Sequence, residues 1–200
     1  MRCTTVAFLV SFAGTAAAQD NSWMLDRAHS RIQFEVIHMA LSEVAGTFKE
    51  YDITFVSSNE DFSDAKINAM ISVASINTEN ERRDNHLRSD DFFNAEAFPM
   101  ITFASTSFQH IEGNKYRILG DLTIRDVTKS VAFEAEHKGT IRTPQGIVTG
   151  WTATKKINCF DYNLKWNRVI EKVGLVAGRD VTITLNLEFR KQARSGPSGG

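Results

Sequence analysis

Asp84, His86, Asp90 and Asp91 crowd one short stretch, "RRDNHLRSDDFFNAEAFPM", whose side chains could do acid–base chemistry. An Asp–His pair can act as orienter and general base. The pair has no nucleophile in a recognisable setting beside it. The chain carries no G-x-S-x-G, and Cys159 has no catalytic motif around it. The five histidines, His29, His38, His86, His110 and His137, show no H-x-x-x-H and no clustering of metal ligands. A structural reading uses the same residues. Thr78-Glu79-Asn80-Glu81 has the pattern of a capping box, which predicts a helix starting near Glu79. Glu79 and Arg83, Asp84 and Arg88, and His86 and Asp90 are each four apart, the spacing of helix-supporting pairs on a solvated face. Phe92, Phe93 and Phe98 follow, and Pro99 stops any helix. The expectation is a charged helical excursion whose aromatic end packs on the rim of a larger structure.

That larger structure has the period of strands. In "RIQFEVIH", Ile32, Phe34, Val36 and His38 share one face, and Arg31, Gln33 and Glu35 the other. "AKINAMISVAS" and "DVTITLNLEF" alternate in the same way. Further strand-like runs lie near 44–56, 100–110, 115–124, 128–140 and 147–157. Phe48 and Ile53 differ in parity, which predicts a bulge inside 44–56. Gly113-Asn114, Arg125-Asp126 and Pro144-Gln145-Gly146 read as turns between antiparallel neighbours. The fold class is therefore all-β with a short helical excursion, a sandwich or a closed barrel of about eight strands. A barrel of that size holds side chains or one small ligand, and 14 phenylalanines favour a deep apolar interior.

The rest of the chain bounds the partners. Arg2, the apolar run Val6 to Ala18 and Ala16-Ala17-Ala18 read as a signal peptide, residues 1–18, with Gln19 as the mature N-terminus. The run is shorter than the roughly 20 residues that span a bilayer. The expected product is a soluble, exported protein, most simply of a bacterial periplasm. Loss of Arg2 changes the formal charge from −1 to −2, a balance that attracts neither nucleic acid nor an anionic membrane. Cys159 then stands alone, so no internal disulfide is expected. One domain over 19–190 and a flexible tail over 191–200 complete the organisation.

Three long stretches occur in order: "WMLDRAHSRIQFEVIHMALSEVAGTF", "SINTENERRDNHLRSDDFFNAEAFPMITFAST" and "GDLTIRDVTKSVAFE". Together they closely resemble the YceI-like family of exported, lipocalin-like proteins, from about Trp23 to Phe189. The resemblance implies an extended antiparallel barrel around an apolar tunnel. It implies binding of a long-chain lipid, a polyisoprenoid or isoprenoid quinone, without covalent chemistry; no cofactor or metal is expected. Asp26, His29 and Ser30 match the family's D-x-x-H-S, and Gly46 and Phe48 its G-x-F. Arg83, Asp84, His86, Leu87, Phe92, Phe93 and Pro99 match its R-D-x-H-L…F-F…P signature. Leu122, Thr123, Val127, Thr128 and Lys129 match its L-T…V-T-K turn. The signature positions Asp26, His29, Arg83, Asp84, His86, Phe92 and Phe93 read as structural. One stretch departs: "NCFDYN" puts Cys159 at the family's Arg and Tyr162-Asn163 at its Phe-Gly.

The candidate lining is Phe34, Val36, His38, Phe48, Ile53, Phe55, Ile71, Phe103 and Trp151. Face parity does not separate a tunnel lining from a packed core. "LKWNRVIEKVGLVAG", within 164–178, has helical spacing at Trp166, Val169, Ile170 and Val173 and reads as a plug or a gate. Three functions follow: a non-enzymatic periplasmic lipid carrier or reservoir, an enzyme using the Asp84/His86 region on an apolar substrate, and a structural or stress-related interaction module. A long-chain isoprenoid or other apolar lipid is the expected partner, and a homodimer stays open.

Overall fold

The computed structural model describes residues 21–38, 42–164 and 177–192. Strands dominate: β1 (Ser22–Leu25), β2 (Arg31–His38), β3 (Ser42–Phe48), β4 (Tyr51–Val56), β5 (Lys66–Ser72) and β6 (Ile76–Asn77). A helix α1 (Glu81–Arg88) precedes β7 (Met100–Glu112), β8 (Lys115–Ile124), β9 (Val127–Thr143), β10 (Gly146–Asn158) and β11 (Ala177–Gln192). Every pairing is antiparallel. The ring runs β1-β4-β5-β7-β8-β9-β10-β11 and closes back onto β1, an eight-stranded barrel. The expected turns join β7 to β8, β8 to β9 and β9 to β10. Gly113 and Arg125 have φ of 52° and 54°, the left-handed conformation such tight turns need.

Two interrupted strands shape the upper end. β1 and β2 run along the same edge of β11, separated by a 3-10 turn at Arg27–His29. β3 and β4 are separated at Lys49 and Glu50. β4 stays in the ring beside β1 and β5, while β3 follows β2 and pairs with β6. This break, not the expected bulge, puts Phe48 and Ile53 out of parity and lets both face inward. Bulges lie elsewhere, between Ser105 and Ser107, His110 and Glu112, and Gly150 and Trp151.

The helix begins two residues later than its capping box predicts. Asn80 is the N-cap, its side chain accepting from Arg83 N at 3.0 Å. Thr78 cannot cap because it serves Asp84: its N–H donates to Asp84 Oδ1 at 2.9 Å, and its hydroxyl donates to the same oxygen. Asp84 is buried, so the expected Asp84–Arg88 surface pair does not form. Arg88 instead donates to the carbonyls of Ala74 and Ile76, pinning α1 to β6.

Candidate ligand-binding interior

Alternation along the ring strands divides the interior into a packed floor and a less buried upper wall. The floor is aromatic. Trp23, Phe55, Phe108, Trp151 and Phe189 point inward from five strands, with Phe55 and Phe189 ring centroids 4.9 Å apart. The connection from Ser57 to Ala65 closes this end and inserts Phe62, 5.1 Å from Trp151 edge-on. Phe62 has φ of 59°, held by Asp64, whose carboxylate accepts from Ser57 Oγ, Ser58 N and Asn59 N. Those bonds, Ser57 foremost, hold the Asp64 carboxyl well below the usual carboxylate range. His137 stacks on Trp151 at 4.6 Å, and its Nε2 meets the hydroxyls of Thr140 and Thr149. Burial lowers its pKa.

The upper wall differs. On β11, Val181, Ile183, Leu185 and Leu187 share the inward parity of buried Phe189, yet all four are only half-buried. Ile183 stands opposite Phe34, and Val181 opposite Val36. Phe34, Val36 and Val44 are likewise half-buried. This row of inward-facing aliphatic side chains packs against the core yet stays less buried than the floor. From Val181 to Leu187 that row spans about 20 Å.

The candidate lining divides along the same line. Phe48, Ile53, Phe55, Ile71, Phe103 and Trp151 are buried inward; Phe55 and Trp151 belong to the floor, and Phe103 packs on Phe133 at 5.3 Å. Phe34 and Val36 lie on the upper wall. The side chain of His38 lies outside the described residues, as does most of the 164–178 stretch. The β11 row was legible in the alternation of "DVTITLNLEF", and Phe62 carries no periodic signal at all.

The mouth lies at the end marked by the β8–β9 turn and the exit of β10. Phe92 and Phe93 are buried with rings 5.0 Å apart, and Phe93 meets Phe48 edge-on at 6.4 Å. Arg125 Nη1 donates to the carbonyls of Phe92 and Asn163, and its guanidinium lies 5.3 Å from the centre of the Phe98 ring. It ties the segment after α1 to the segment after β10. Arg83 donates to Thr78 Oγ1 and Thr78 O, completing the Asp84 anchor. A Cβ built on Gly46 would lie 2.2 Å from Phe34 Cζ and 2.8 Å from Thr78 Cγ2. The G-x-F and R-D motifs therefore meet in one packed contact.

Asp84 and His86 do not form an orienter–base pair. Asp84 is engaged with Thr78, and exposed His86 sits 3.9 Å from Asp91, not Asp90. Asp26 caps the turn that interrupts the first strand, accepting from Ala28 N and pairing with His29 and Arg190. Burial opposes its ionisation, but the bonds from His29 and Ala28 N and the Arg190 charge prevail and keep its carboxyl below the ordinary range. Ser30 exchanges hydrogen bonds with the Glu188 backbone. Asp26, His29 and Glu188 bring donor atoms within 4.8 Å of one another. Arg190 pairs with both carboxylates, so the cluster acts as a clamp on the seam.

A YceI-like domain matches residues 23–189. The chain belongs to the YceI-like family. It is 36% identical over 170 residues to a UPF0312 protein of Staphylococcus aureus strain MSSA476, covering 84% of this chain and 96% of that one. The Campylobacter jejuni YceI protein superposes with a TM-score of 0.67 at 28% identity, over 76% of this chain and 88% of that one. A polyisoprenoid binding domain from Saccharophagus degradans, implicated in plant cell wall breakdown, shares the fold at a TM-score of 0.62 and 15% identity, over 85% and 98%. Against the YceI-like pattern, the "NCFDYN" departure keeps its turn. Asn158 accepts from Phe160 N, and Asn163 has φ of 54°, a left-handed conformation that Asn tolerates better than most residues in place of Gly. Cys159 is buried there, and burial pushes its thiol pKa up.

Proposed function

We propose that this YceI-like barrel binds a long-chain apolar lipid, a polyisoprenoid or isoprenoid quinone, without covalent chemistry, as an exported carrier or reservoir in the periplasm. The observation that carries the reading is the half-buried, inward-facing aliphatic row Val181–Leu187 beside Phe34 and Val36. Such a wall has no directional chemistry to offer. It gains about 0.8 kcal/mol for each methylene a ligand buries, which suits a repetitive hydrocarbon chain. The shared fold with a polyisoprenoid binding domain supports the same reading. The acid–base alternative loses its pair because Asp84 holds Thr78.

Native mass spectrometry of protein from its own host, followed by solvent extraction, tests the proposal. A stoichiometric isoprenoid is the expected result. Protein that carries no lipid and takes up none from solubilised membranes has a packed interior, and the proposal falls. Export predicts an N-terminus at or near Gln19 in the same preparation, and an intact Met1 on exported protein refutes that part.

A further inference from the structure

Lys155 sits where a charge is least expected. It lies on β10 between buried Ala153 and Ile157, on their face, and directly opposite Ile183 of the aliphatic row. Its neighbour Lys156 points the other way and pairs with Asp180 at 2.8 Å on the outer surface. Lys155 is half-buried. Lys129 on β9, opposite buried Leu122, shares the inward parity nearer the mouth, but it is exposed and pairs with Asp161 at 3.8 Å, which leaves Lys155 as the half-buried charge on the inner rows among the described residues. Among the described residues, the side chains next to it on this face, Ala153, Ile157 and Ile183, are hydrocarbon and accept no hydrogen bond from its ammonium. An ammonium on an apolar wall is costly unless an anion meets it there.

We infer that Lys155 makes this barrel selective for a single-tailed lipid with an anionic oxygen head, a carboxylate or a phosphate monoester. The inference rests on the lipid-binding reading above and adds the chemistry of the head group to it. The tail lies on the aliphatic row. The head meets three donors on a flexible four-carbon stem, which adapts to either anion. Lys155 lies three residues below Asn158, where β10 ends, about 10 Å along the strand. The stem reaches up towards the mouth while its methylenes stay on the wall.

Three probes with matched chains test this: geranylgeranyl monophosphate, arachidonate and geranylgeraniol. Affinities are measured by titration calorimetry on delipidated protein, for the natural sequence, Lys155→Met and Lys156→Met. At least one anion should bind roughly tenfold tighter than the alcohol or better, the strength of a charge-assisted hydrogen bond. Lys155→Met should bring that anion down to the alcohol's affinity and leave the alcohol unchanged, while Lys156→Met should change neither. Whichever anion is preferred identifies the head. Equal binding of alcohol and anions by the natural sequence overturns the inference but keeps the lipid reading. So does an equal loss of all three probes in Lys155→Met, which would mark a packing role. Binding of no probe sinks the lipid reading itself.

Discussion

Replacing Asp84 with alanine should cost more stability than any other change of a charged residue in the signature segment. The carboxylate accepts from Thr78 N–H at 2.9 Å and from the Thr78 hydroxyl, and both residues are buried, at 6% and 5% exposure. A hydrogen bond to a charged acceptor contributes about 1.5–3 kcal/mol net, and a stranded buried N–H adds its own desolvation penalty. The two bonds share one oxygen and are not additive. The expected loss is about 3–4 kcal/mol for Asp84→Ala, and about 1–2 kcal/mol for Asp84→Asn, which keeps an acceptor without the charge. For a domain of this size the first figure corresponds to a Tm lower by about 6–16 °C. Urea denaturation followed by circular dichroism reads both. His86→Ala, on the exposed side of α1, should stay within about 0.5 kcal/mol. If Asp84→Ala costs less than about 1 kcal/mol, or no more than His86→Ala, Asp84 is not the anchor described here. The acid–base reading of the segment would then reopen.

Val36→Trp should lower lipid occupancy in native mass spectra, because it crowds the upper wall, while Glu35→Trp on the outer face should leave occupancy unchanged. Full occupancy in a folded Val36→Trp protein removes Val36 from the site. Gly46→Ala should destabilise by about 1–3 kcal/mol, since its new methyl meets the Phe34 ring and the Thr78 methyl; an unchanged urea midpoint contradicts the packing. His137 has a lowered pKa in the fold, caused first by burial. The unfolded chain therefore takes up the proton first. Its stabilising contribution is complete above the ordinary value of about 6.5 and is lost as pH falls through the lower folded value. Between about pH 8 and about pH 5 the natural sequence should lose more of its urea midpoint than His137→Gln does; parallel curves refute the assignment.

The strand ring was legible because alternation is a local property: each of β2, β5, β7, β8 and β11 shows its inward row within a few residues. The positions of Lys49 and Glu50 were not, because a strand break and a bulge change parity alike. Thr78 was misread for a related reason. Its pattern with Glu81 is that of a cap, but a buried carboxylate six residues on competes for the same groups. Parity named Phe55 and Trp151 as inward without saying that Phe62, from an irregular connection, would seal them into a floor. The distinction between wall and floor depends on what fills the space between strands far apart in sequence, and no local pattern holds that. Lys155 was hidden by its neighbour, since Lys155-Lys156 reads as an ordinary solvated pair until the register turns one of them inward.

The seam between the first and last strands also governs when the barrel can exist. Ser30 and Glu188 are joined across 158 positions, and β11 alone borders β10, β1 and β2. The turns from β7 to β10 each close over two residues and can assemble as each strand is made. Closure cannot, because its other half, β11, is made after all the other described strands. Until β11 docks, β1 and β10 are both free edges and the inner rows of every strand face water, a state prone to pairing with other chains. Contacts this distant make assembly slow relative to helical domains of equal stability. The Asp26–Arg190 clamp sits at that last-formed join, so it acts on how long the closed ring lasts once made, and little on how fast its hairpins appear.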